Sequence, residues 1–178
     1  MQDAQRVILR VLDRAGKSVN STRLVKLVYL VDYTFFQHFG ETITGFRYEW
    51  SHHGPNAVGH AIISEADKLA RMGLIRSTQS PNIYGGTTSS YRIASDVPAL
   101  PPEAELVIDD IITQFDRFNT TKITALYKKT APFINAHQYE VLVMSQLTTP
   151  ARTSAEDYQR YKEQEQQSGM ISLEELRR

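Results

Sequence analysis

The segment from Leu24 to Phe39, LVKLVYLVDYTFFQHF, carries apolar and aromatic side chains on nearly every face of the helix that its spacing predicts. Leu24, Leu27, Val28, Val31 and Phe35 fall on one stripe, and Tyr29, Leu30, Tyr33 and Phe36 fill the flanks. A helix of this kind has no side to give to water, so it must run through the centre of the fold with several partners around it. Asn20, Ser21 or Thr22 can cap its start, and Gly40 can end it in the left-handed backbone that glycine adopts without a Cβ penalty.

The partners are legible on either side. Val7, Ile8, Val11, Leu12 and Ala15 recur at helical spacing, with Arg6, Arg10, Asp13 and Arg14 opposite, and Gly16 closes that helix. After Gly40, Ile43, Phe46, Tyr48 and Trp50 read as one strand leading into the turn His52-His53-Gly54-Pro55. Pro55 suits the first position of a helix, where its missing N–H has no intrahelical partner, and Asn56–Met72 then reads as that helix, ended by Gly73. Leu74 to Ala94 reads as a β-hairpin with a long tip around Pro81, Tyr84 and Gly85-Gly86. A Pro-rich linker at 96–102 precedes three helical patterns, at 104–118, 121–129 and 137–147.

The expected architecture is mainly α with a small antiparallel β element (α+β), about six helices in all, and a winged-helix-like order in the N-terminal half. Residues 1–150 form the domain. Residues 151–178, rich in Glu, Gln, Arg and Ser, form a charged tail that cannot bury enough to stand alone and orders only against its own domain or a partner.

Composition narrows function. The 178 residues contain no cysteine, which excludes a disulfide framework, thiol catalysis and thiolate metal sites. Lys+Arg and Asp+Glu both total 20, so no global field steers the chain towards nucleic acid. With no spanning apolar run and no signal peptide, a cytoplasmic location without membrane contact is expected.

No hydrolase elbow, metalloprotease helix, phosphate-cradling glycine loop or dinucleotide fingerprint occurs, and the five histidines lie outside any metal-ligand spacing. Neither an enzyme, a metal nor a cofactor is expected. His53 reads as a turn residue that packs and bonds to backbone. DNA reading has the winged-helix order in its favour, yet the first turns of Asn56–Met72 offer only Asn56, Gly59 and His60 to base edges. Clustered Tyr29, Tyr33, Phe36, Tyr48 and Trp50 favour protein binding, since exposed Tyr and Trp are common interface anchors.

The run Lys26-Leu27-Val28-Tyr29-Leu30-Val31-Asp32, followed by Gly40, Ile43-Thr44-Gly45, Trp50, Gly54-Pro55 and the exit Gly73-Leu74-Ile75, resembles the SocA-like antitoxin domain, also called Panacea or DUF4065. The resemblance covers about residues 5–147 and is densest over 24–75. It implies the antitoxin of a toxin–antitoxin system of bacteria or their phages, neutralising a cognate toxin by direct binding. An alternative within its scope is a protease adaptor that delivers the toxin for degradation; the winged-helix order of the elements separately allows a transcriptional regulator with weak promoter DNA binding. By resemblance, Lys26, Leu27, Tyr29, Asp32, Gly54 and Pro55 are signature positions with structural roles: Asp32 pairs with Lys26 or caps backbone donors near the turn. Toxin contact is expected at more variable surface, at Tyr33, Tyr48, Trp50, His53, the hairpin tip with Tyr84, and Tyr158 and Tyr161 of the tail.

Overall fold

A computed structural model describes residues 2–51, 54–82, 85–144 and 154–168. Helix α1 (Asp3–Ala15) buries Val7, Ile8, Leu9, Val11 and Leu12 and ends at Gly16, whose φ of +63° is the left-handed turn that its lack of a side chain permits. A two-residue strand β1 (Val19–Asn20) leads into α2 (Ser21–Phe39), and the Asn20 side chain caps that helix by accepting the Arg23 N–H at 2.8 Å. Every residue from Leu24 to Asp32 is buried. The helix that the sequence makes apolar on all sides is accordingly packed by α1, by α3 (Ala61–Arg71), by α4 (Pro102–Phe115) and by α5 (Thr120–Tyr127).

The three-stranded sheet has the order β1-β5-β4, all antiparallel, with β4 at Ile75–Pro81 and β5 at Thr87–Ile93. Its register sets Val19 against Tyr91 and Ile75 against Ile93. Tyr91 is buried and donates its hydroxyl to Asp67 Oδ1 at 2.9 Å, which fastens the hairpin to α3. The succession α1, β1, α2, α3, β4, β5 is the winged-helix order, interrupted between α2 and α3 by a second, two-stranded sheet of β2 (Tyr48–Ser51) and β3 (Gly54–Ala57).

Helix α4 lies along α1, where Arg10 and Arg14 meet Glu105 and Asp109, and its last carbonyls are capped by Arg23, which donates to Phe115 O at 2.6 Å and to Phe118 O. A short α6 (Ala131–Ile134) and a peripheral α7 (Ala155–Ser168) complete seven α-helices among the described residues, with one 3-10 turn at Val58–His60. The chain is thus mainly α with small antiparallel sheets.

Three boundaries differ from the sequence expectation. Only Tyr48–Ser51 of the expected strand enters a ladder, because the N–H groups of Ile43 and Thr44 both bond the Asp32 carboxylate instead. Gly54-Pro55 does not start a helix: it lies in β3, and α3 begins only at Ala61. Pro55 stands opposite Trp50, whose own N–H and C=O are bonded to Glu140 and Tyr139 on the other edge of β2, so the missing proline N–H costs no ladder bond. Of the helix expected at 137–147, residues 145–147 lie outside the described residues, and 139–142 instead runs along β2: Tyr139 N–H donates to Trp50 O at 2.6 Å, Trp50 N–H to Glu140 O at 2.8 Å and Leu142 N–H to Tyr48 O at 2.8 Å. Those unpaired β2 groups are a long-range partner that local periodicity does not reveal.

Candidate functional site

Asp32 organises the insert. Its carboxylate is fully buried and accepts the N–H groups of Ile43 and Thr44, each at 3.0 Å, the Thr44 hydroxyl, and the Tyr48 hydroxyl at 2.7 Å. Burial pushes the acid upwards and these four donors pull it back, while burial beside the carboxylate holds Tyr48 well above the usual phenol range. Of the two roles expected for Asp32, the structure shows the cap on the turn. The Tyr48 ring stands edge-on to Tyr29 at 5.1 Å, and the Tyr29 hydroxyl shares a 2.8 Å hydrogen bond with Thr130 Oγ1, so one buried chain of contacts ties α2 to the β2 insert and to the start of α6. This hub is a clamp, with each of those polar groups held in a hydrogen bond. Leu27 is core, and Lys26 reaches the other way, donating to Thr124 Oγ1 on α5 at 2.6 Å.

The clamp presents a surface. Trp50 is half-buried with its ring 4.5 Å from Phe133, and the end of α6 and the stretch bonded along β2 carry four of the exposed large apolar side chains, with Val58, Met72 and Tyr161 exposed elsewhere. Ile134 is 64 % exposed and Tyr139 71 %, with Val141 and Val143 also exposed, while Leu142 between them is buried. Alternation does this: with Leu142 anchored inward, its neighbours face out. Tyr139 holds φ at +71°, a conformation that costs a bulky residue backbone energy, and its ring is not kept there by burial.

The expected contact residues separate on this map. Tyr48 is buried, as is Tyr158, which packs edge-on to His38 at 4.7 Å and donates to Asp110 Oδ2 at 3.1 Å; neither offers its ring to a partner. Sequence places both at the surface, because aromatic content alone does not distinguish an anchor from a core ring. Tyr33 and Trp50 are half-buried, and Tyr161 is exposed beside His38. His53 and Tyr84 lie outside the described residues. Ile134, Tyr139, Val141 and Val143 escaped the sequence reading, although the two-residue period of Tyr139, Val141 and Val143 was a strand signal available there.

Among the described residues no helix is long and apolar enough to cross a membrane, and no group of three acidic, His or Cys side chains could hold a metal ion. No curated protein and no solved structure matches the chain. The family model for the antitoxin SocA-like, Panacea domain matches residues 24–133, from the central helix through the β2 insert, α3 and the hairpin to α6. With well over half the chain inside that match, and with the clamp of Tyr29, Asp32 and Tyr48 at its centre, this protein belongs to the SocA-like, Panacea antitoxin domain family.

Proposed function

We propose that the chain neutralises a cognate toxin by binding it directly, and that the ridge of Ile134, Tyr139, Val141 and Val143 beside Trp50 is the contact surface. The observation that carries this reading is the apolar stretch held on β2 by three backbone hydrogen bonds, with Tyr139 exposed at positive φ. An aromatic at the centre of an apolar patch with a polar surround is the usual anatomy of a binding hot spot. Occlusion of the toxin's active site or substrate surface would follow from binding alone, with no chemistry asked of this chain. The reading places its action in the cytoplasm.

Co-expression with the product of the neighbouring gene tests it. Growth rescue and co-purification are expected for the native chain, and Val141→Asp is expected to abolish both while leaving the thermal midpoint within about 2 °C, as for an exposed substitution. Rescue that survives Val141→Asp and Tyr139→Ala together would move the interface elsewhere. Loss of the toxin protein during rescue, dependent on an intact protease, would favour delivery for degradation.

The β1-β5-β4 wing packed on α3 supports a second reading, repression of a promoter through a winged helix. The exposed face of α3 offers Ser64, Lys68 and Arg71, with both basic residues late in the helix, so this reading has the shape and little of the chemistry.

A further inference from the structure

A cleft of about 690 Å³ opens where α2, α5, β2, β3 and the hairpin approach one another, and nothing in the clamp or the ridge uses it. It lies within the size range of small-molecule sites. Lys26 and Lys128 line it, and none of the described lining residues is acidic. Lys26 is only 4 % exposed, a charged side chain taken out of water and held by Thr124, whose own hydroxyl donates to Thr120 O at 2.7 Å. Burial and the neighbouring Lys128 charge bring the Lys26 ammonium down to about 8. An anion seated between the two lysines would relieve both penalties.

The rest of the lining suits the same ligand. Thr22, Thr120, Thr121 and Thr124 contribute hydroxyl donors. Thr22 belongs to the first turn of α2, and Thr120 and Thr121 to that of α5; Asn20 and Asn119 cap the Arg23 and Lys122 N–H groups one turn in. Val25 and Ile63 supply an apolar wall larger than a bare inorganic ion requires. His60 lines the same cleft with φ at +56°, a second non-glycine residue held in the left-handed region, and its Nδ1 is 3.2 Å from Asn56 Nδ2.

We infer that this cleft binds a phosphorylated small molecule of about mononucleotide size, its phosphoryl oxygens between Lys26 and Lys128 and its remaining group against Val25 and Ile63. The inference stands apart from toxin binding, since the cleft and the ridge share no residue.

Isothermal titration of the full chain at neutral pH and about 0.15 M salt, where surface electrostatics are screened, compares ATP, inorganic pyrophosphate and potassium sulfate. Saturable binding of ATP at one site is expected. Weaker binding of pyrophosphate is expected, the difference being the nucleoside's share against Val25 and Ile63; equal binding would take the apolar wall out of the site and overturn the mononucleotide-sized ligand. Lys128→Ala, at an exposed position, is expected to weaken ATP about tenfold or more, as loss of one charge-assisted contact does. Lys122→Ala, outside the cleft, is expected to change nothing. Lys26→Met is read alongside a thermal melt, so that misfolding is separated from lost binding. Heat from sulfate equal to that from ATP, binding indifferent to Lys128→Ala, or binding of an acidic peptide or oligonucleotide with none of ATP would overturn the inference.

Discussion

Asp32 and Lys26 are six positions apart on the same helix, both buried, and they do opposite work. Asp32 is matched by four donors, two of them backbone N–H groups that can only donate, so Asp32→Asn, which replaces one acceptor oxygen by an N–H₂ and removes the charge, is expected to cost about 2–3 kcal/mol in urea unfolding. Tyr48→Phe removes one of those donors from a carboxylate and should cost about 1.5 kcal/mol or more. Lys26 is a titration experiment in itself. In the folded chain it is brought down to about 8, below the 10.5 of a lysine in water. Below both values each state is protonated; between them the unfolded chain holds more protons than the folded one, so stability rises with pH across that window. The stability difference between Lys26→Met and the native chain, followed from pH 7 to pH 10 by denaturant midpoint, should therefore shift in favour of the native chain as pH rises. A difference that stays constant would mean that the ammonium is not desolvated.

At the scale of elements, two segments have their conformation decided by what they dock against. Helix α7 is polar on most positions, and Tyr158 is its buried anchor, with Lys162 pairing Asp110 at 3.2 Å. Tyr158→Ala should undock it, a loss on the order of 3 kcal/mol for a buried aromatic. Amide exchange in 155–168 should then become fast while α1 and α2 stay protected; unchanged protection would mean that another contact holds the helix. The stretch at 139–142 is the second case. Its periodicity reads equally as helix or strand, and the open edge of β2 decides against the helix by holding it through three backbone hydrogen bonds and a single bridge, Glu49 to Val141. Tyr139→Gly removes both the ring and the strain of the left-handed backbone, so its stability should stay within about 1 kcal/mol of native. Loss of toxin binding in that variant would show that the strained tyrosine is retained for contact.

For the molecule as a whole, charge is the controlling quantity. Twenty basic and twenty acidic side chains leave no net field, and several of them are used internally between α1 and α4. Promoter binding by the winged-helix half should therefore be undetectable by gel shift at about 0.15 M salt and emerge, if at all, at low salt, where few phosphate contacts still count. Tight binding at physiological salt would favour the regulator over direct neutralisation as the main role.

The place of the central helix is readable from the order of residues, because side chains apolar on nearly every face leave it no stable place but the middle. Its caps at Asn20 and Gly40, the hairpin, and the run from Lys26 to Ile75 that carries the family were legible for the same local reason: spacing, turn chemistry and order are properties of neighbours in the chain. Tertiary structure alone decided which aromatics are buried. Tyr48 and Tyr158 look in sequence like Tyr139, and the first two are held inward by partners distant in the chain, the carboxylates of Asp32 and Asp110 and the rings of Tyr29, His38 and Phe39. It also decided that Gly54-Pro55 joins a strand and that 139–142 lies along β2. Backbone groups left open on one segment must be met by another far away in the chain, and no local pattern records that demand.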